Sequence, residues 1–151
     1  MMPVLMTQNN MFDRFHADLR RSRREGEKGV RNRTMPNELQ LQDLVGKPVS
    51  SICFVQDYVE LHFDGPILRC LVGPILKLDR LDVIFPENGS RDALCSLIGQ
   101  AIRRLSLDDD VKLEVEFSSG HTLIVPLDPK HRKVPESMHF VPRIGGPIQV
   151  W

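Results

Sequence analysis

VKLEVEFSSGHTLIVPLD, residues 111–128, constrains the fold more than any other stretch of this chain. Val111, Leu113, Val115 and Phe117 alternate with Lys112, Glu114 and Glu116. Alternate residues of a strand share one face, so the apolar set faces a core and the charged set faces water. Ser118-Ser119-Gly120 makes a turn in which glycine can take a left-handed position. HTLIVPLD then returns with Leu123, Val125 and Leu127 inward. Half-polar strands joined by a short turn predict an antiparallel sheet with one wet face.

Other segments carry the same period. SSICFV and YVELHF flank Gln56-Asp57 and predict a hairpin, with one continuously bent strand as the alternative. Asp64-Gly65-Pro66 is a turn signal. PILRCLV and PILKLD are divided by Gly73-Pro74, which predicts an edge position, a bulge or two short strands. LDVIF is one more brief strand, and IQVW at the end another. One segment reads differently. SRDALCSLIGQAIRRLSL places Ala93, Leu94, Leu97, Ile98, Ala101, Ile102 and Leu105 at helical spacing, which predicts a helix over about 90–106. Ser90 would cap it, Arg103 and Arg104 would suit its C-terminal end, and Gly99 would allow close approach to the sheet. The expected fold class is therefore α+β: a strongly twisted antiparallel sheet of about five to seven short strands packed against one principal helix.

A length of 151 residues suggests one patterned domain, and 41% hydrophobic residues can supply its core. The formal net charge of zero hides an asymmetry. Residues 1–34 hold eight Lys/Arg against four Asp/Glu, and residues 35–151 hold twelve against sixteen. The run RRSRREGEKGVRNR has little to bury, so residues 1–36 are expected to be a flexible basic extension of a domain at 37–151. Within it, residues 11–24 have a short helical pattern, and Met35 offers an alternative start to the chain. Three widely spaced cysteines, with no C-x-x-C pair, read as reduced thiols of a cytoplasmic protein. Cys53 and Cys95 stand in apolar patterns, where a thiol behaves as a small hydrophobe. No apolar run reaches the roughly 18 residues of a membrane span, so no membrane partner is expected.

Chemical motifs are sparse. Tyr58, Glu60 and His62 alternate along one strand and share its polar face. A carboxylate beside a histidine can orient the ring for acid–base work. Yet Val59, Leu61 and Phe63 define the buried face, so the row reads first as a wet surface, then as a binding surface, and only last as a catalytic site. His121, His131 and His139, with Cys70 and Cys95, lack the close spacing that anchors zinc, and neither a metal nor another cofactor is expected. The three read as surface histidines, His121 at the start of a strand and His131 and His139 in a loop. No serine stands in a nucleophile motif, and no glycine-rich loop opens a helix to cradle phosphate, so no catalytic residue is assigned. Glu114 and Glu116 read as solubilising charges, and Asp108–Asp110 as a turn from helix to strand. Arg20–Arg33 could meet nucleic acid through phosphates. The interrupting Glu25 and Glu27, the acidic remainder and the scarcity of aromatics argue against that partner.

From Leu44 onward the chain resembles a family of short bacterial proteins, a domain of unknown function, that end in a Val-Trp strand. The residues carrying the resemblance are LVGKPV (44–49), DYVELHF (57–63), LCSLIGQAI (94–102), LEVEFSSGHTLIVPLDP (113–129), PES (135–137) and GGPIQVW (145–151). The resemblance implies a compact α+β domain and brings no activity or catalytic residue with it.

Two classes of function follow. The first is a small non-catalytic binding protein whose partner is another protein or a second copy of the chain. An immunity protein that occludes a toxin is one concrete form. The second is a small-molecule-binding or enzymatic domain with a cleft between sheet and helix. The missing convergent polar groups make the first the better expectation.

Overall fold

The computed structural model describes residues 40–132, 134–143 and 145–151. The basic extension expected at residues 1–36 lies outside the described residues. Among the described residues ten strands follow in chain order, where about five to seven were expected: β1 (Ser51–Val55), β2 (Tyr58–His62), β3 (Ile67–Cys70), β4 (Ile75–Lys77), β5 (Asp82–Ile84), β6 (Ile102–Asp108), β7 (Lys112–Phe117), β8 (Thr122–Pro126), β9 (Met138–Val141) and β10 (Gln149–Val150). They form two five-stranded sheets, in the orders β1-β2-β3-β9-β10 and β5-β4-β8-β7-β6. Every pairing between these strands is antiparallel.

The hairpin that dominates the sequence pattern is β7–β8, with Leu113 opposite Val125 and Val115 opposite Leu123. Gly120, at φ +87°, supplies the left-handed position of its turn. The β1–β2 hairpin closes through Gln56-Asp57, with Val55 opposite Tyr58. Gln56 itself takes the positive φ, a position glycine or asparagine usually fills. At Gly73-Pro74 the chain passes from one sheet to the other, so β3 and β4 are separate strands. A Cβ on Gly73 would lie 2.1 Å from the Phe85 carbonyl oxygen, so only glycine fits there.

Both sheets bury their inner faces in one core. Val59, Leu61, Leu68, Cys70, Met138 and Phe140 come from the first sheet, and Leu76, Leu105, Leu113, Val115, Phe117, Leu123 and Val125 from the second. Each such side chain contributes on the order of 1.5–3 kcal/mol of hydrophobic stabilisation before conformational entropy is counted. A seam of backbone bonds links the entry to β1 with the entry to β6: Gly46 N–H to Ile102 O (2.7 Å), Ile102 N–H to Lys47 O (3.1 Å) and Gly99 N–H to Val49 O (2.8 Å). The first of these follows a 3-10 turn at Leu41–Leu44, whose two leucines are buried.

The expected helix over 90–106 is a correction. Helix α1 spans only Ser90–Cys95. The remainder turns at Gly99 (φ +85°) and becomes β6. A β-bulge explains why this stretch imitates a helix. Ile102 pairs with Phe117 and Arg104 with Glu116, which leaves Arg103 as an extra residue. The insertion stretches the inward spacing from two residues to three, so Ile102 and Leu105, both buried, read as i and i+3. Ile98, part of the expected stripe, is 46% exposed, while Leu97 beside it is fully buried. Gly99 serves the turn, and the space where a side chain would stand is open: a Cβ there would meet no atom within 4 Å. Ser90 does not cap α1. Gly89 occupies that position, and the Ser90 hydroxyl is buried without a hydrogen-bond partner among the described residues. The α+β expectation with one principal helix thus gives way to a sheet-rich fold with little helix.

Helix α1 packs on β1, β4 and β5. There the rings of Phe54 and Phe85 stack with centroids 5.8 Å apart, and the Arg91 guanidinium lies 5.3 Å from the Phe85 centroid. At the end of the chain β10 extends the first sheet beside β9, and Trp151 is packed against the core. Among the described residues no helix is long and apolar enough to cross a membrane.

Candidate functional site

Strand β2 places Tyr58, Glu60 and His62 together on the outer face of the first sheet, as alternation requires, while Val59, Leu61 and Phe63 are buried beneath. The row is less wet than its sequence suggests, because Glu60 is only 8% exposed. Strand register explains the burial. Cys53, Glu60, Arg69, His139 and Val150 stand opposite one another in turn across all five strands. Arg69 donates from Nε to Glu60 Oε1 at 2.7 Å, and His62 donates from Nε2 to Glu60 Oε2 at 3.0 Å. The Arg69 guanidinium also lies 6.0 Å from the Tyr58 ring centroid. On its other side, Arg69 Nη1 reaches His139 Nδ1 at 3.4 Å, and His139 Nε2 pairs with Glu136.

The result is a chain of five groups, His62–Glu60–Arg69–His139–Glu136, that ties β2, β3 and β9 to the loop before β9. Burial pushes the Glu60 carboxyl upward. The hydrogen bonds from Arg69 and His62, together with their charges, outweigh that and hold it below the usual carboxylate range. Both Glu60 oxygens are engaged. One tautomer serves both contacts of His139: Nε2–H donates to Glu136, and the bare Nδ1 accepts from Arg69. Among the described residues, the Nδ1 of His62, the Tyr58 hydroxyl and the exposed Cys53 thiol make no hydrogen bond. This face presents fixed, directional polar groups. It also does not lie between sheet and helix, since α1 meets the first sheet through Phe54 on the opposite side.

Sequence reasoning found one strand of this site and missed the rest. Arg69 is visible as the outward residue of ILRC. His139 is visible as the outward residue of MHFV, between the buried Met138 and Phe140. The surrounding prolines masked that second alternation, so the expectation of a surface histidine in a loop is corrected: the His139 side chain is 16% exposed and sits in a strand. The β1–β2 hairpin was readable from its two runs, but the pairing of β3 with β9 was not.

The other candidates fall elsewhere. His131 meets Asp128 at 2.6 Å, in a turn where Asp128 also accepts from the Lys130 amide. Glu116 bridges Arg103 and Arg104, each at 3.2 Å, and Glu114 bridges Lys112 at 2.8 Å, all on the outer face of the second sheet. Asp108–Asp110 forms the turn between β6 and β7, joining two strands rather than a helix and a strand. No group of three or more His, Cys, Asp or Glu among the described residues is arranged to hold a metal. Cys53 and Cys95, expected as small hydrophobes, are exposed, and Cys70 is buried, its thiol pKa pushed up to about 12 by burial. The chain matches no protein-family model, no curated protein and no solved structure.

Proposed function

We propose that this chain is a non-catalytic interaction protein and that the outer face of its first sheet, centred on Tyr58, Glu60 and His62, is where a protein partner sits. The carrying observation is the ladder Cys53–Glu60–Arg69–His139–Val150, which crosses every strand of that sheet on the solvent side. Its charged members are already ordered and partly desolvated, so a partner that covers them meets little further ordering cost. Arginine and tyrosine with apolar neighbours are common anchors of such surfaces. Tyr58, Ile67, the exposed Val150 and the buried Val141 supply that setting here. Among the described residues, exposed Asp57 and Asp64 at the two ends of β2, with half-buried Glu136, outnumber the exposed Arg143 and favour a basic partner. An immunity protein that occludes a basic toxin is one form of this function.

The native thiols provide a test. A photo-crosslinker on Cys53 in a Cys95→Ser chain reports on the ladder, and one on Cys95 in a Cys53→Ser chain reports on a position away from it. In cells making the protein, the expected result is a discrete adduct from position 53 alone, lost on Tyr58→Asp with Glu136→Lys. Equal adducts from both positions, or none from position 53, would refute the assignment.

A further inference from the structure

We propose that His62 and His139 make this face a proton-linked surface that holds a cationic partner when both rings are neutral and releases it when both are charged. The proposal rests on the reading of the face given above. With neutral rings, Glu60 and Glu136 outweigh Arg69 by one negative charge. With both rings protonated, the same five groups carry one positive charge. The sign reverses within a surface narrower than about two Debye lengths at physiological salt, and histidine is the side chain that changes charge near neutrality.

The two protons have different structural consequences. Nδ1 of His62 makes no hydrogen bond among the described residues, so its protonation leaves the Nε2 contact with Glu60 intact. Its cross-strand neighbours are Ser51 on β1 and Ile67 on β3, neither of them charged. His139 faces Arg69 on β3, Val150 on β10 and Glu136 in the preceding loop. A proton on its Nδ1 replaces an acceptor with a donor directly opposite the Arg69 Nη1 donor, so that contact must break. Glu136 keeps its partner, while Arg69 is left with Glu60 and the Tyr58 ring. Acid therefore adds charge to the face and also loosens the link between β3 and β9 on that side.

A nona-arginine peptide at low salt can serve as the cationic probe, followed through the backbone amides of the full chain. At about pH 7.5 the expected shifts are confined to β2, β3, β9 and the loop before β9. At about pH 5 binding is expected to be about tenfold weaker or less detectable still. The double substitution H62Q with H139Q keeps a neutral hydrogen-bonding group at each position and removes the titratable ring, and it should abolish this pH dependence. If the dependence persists in that variant, His16, His121 or His131 or a global change causes it and the proton link falls. If the histidine ring nitrogens, observed without peptide, show no proton uptake at residues 62 and 139 over this range, the proton link also falls while the face assignment stands. If the peptide shifts only the Asp108–Asp110 turn, the face assignment itself falls.

Discussion

Replacing Arg69 with methionine is the most informative single perturbation. The aliphatic stem survives, and the guanidinium is lost. Glu60 then loses its 2.7 Å partner and keeps only His62. A charge-assisted hydrogen bond to a mostly buried carboxylate contributes about 1.5–3 kcal/mol. The long contact to His139 adds little. Arg69 retains a side-chain exposure of 28%, so solvent screens part of the effect. The net expectation is a loss of about 2 kcal/mol near pH 7. The pH dependence has a definite sign. The folded Glu60 carboxyl titrates below its ordinary value of 4.5, so its contribution is fully present above that value and is lost as pH falls through the lower, folded one. Urea unfolding at about pH 7 and about pH 3 should therefore give a large difference between wild type and R69M at the higher pH and a smaller one at the lower. A cycle with E60Q should return a coupling of about 1–2 kcal/mol at neutral pH. A loss below about 0.5 kcal/mol, or equal losses at both pH values, would refute the claim that this pair organises the face.

The two glycines at chain reversals should behave differently. Gly73→Ala places a methyl against the Phe85 carbonyl and should cost about 3 kcal/mol or more, whereas Gly99→Ala meets open space and should cost only the left-handed penalty of about 1–2 kcal/mol, both readable by thermal or urea melts. Leu97→Ala should lose roughly 2–5 kcal/mol as a core cavity, while Ile98→Ala should change stability by less than about 0.5 kcal/mol. A helix with one apolar stripe would give similar losses at both. A colorimetric thiol titration of the folded chain should show Cys53 and Cys95 reacting at once and Cys70 only after unfolding. Prompt reaction of Cys70 would mean that the first sheet opens readily.

Legibility in the sequence tracked how local each determinant is. The β7–β8 hairpin needs only its own eighteen or so residues: the alternation sets the faces and Gly120 sets the turn. The inward and outward sides of β2 were readable for the same reason. The stretch from Ser96 to Asp108 was not, because an extra residue at Arg103 lengthened a two-residue period to three, and a periodicity argument cannot distinguish that from a helical turn. The site was legible only in part. Tyr58, Glu60 and His62 share a strand, and Arg69 joins them across the short β2–β3 turn, but His139 arrives only through the β3–β9 pairing, seventy residues away in sequence, which no local pattern encodes. Burial of Glu60 follows from those pairings, so it too was hidden.

The passage at Gly73-Pro74 has a consequence for how the chain assembles. The second sheet is built wholly from one contiguous stretch, β4 to β8, which is inserted between β3 and β9 of the first. Arg69 and His139, neighbours in the finished sheet, are seventy residues apart in sequence. Closing so long a loop is entropically slow, and non-local pairings of this kind dominate folding times. During synthesis the β1–β2–β3 meander emerges before β9, and the free edge of β3 is sealed when β9 pairs with it. Strands β9 and β10 are thereby the clasp of the first sheet and complete its outer face.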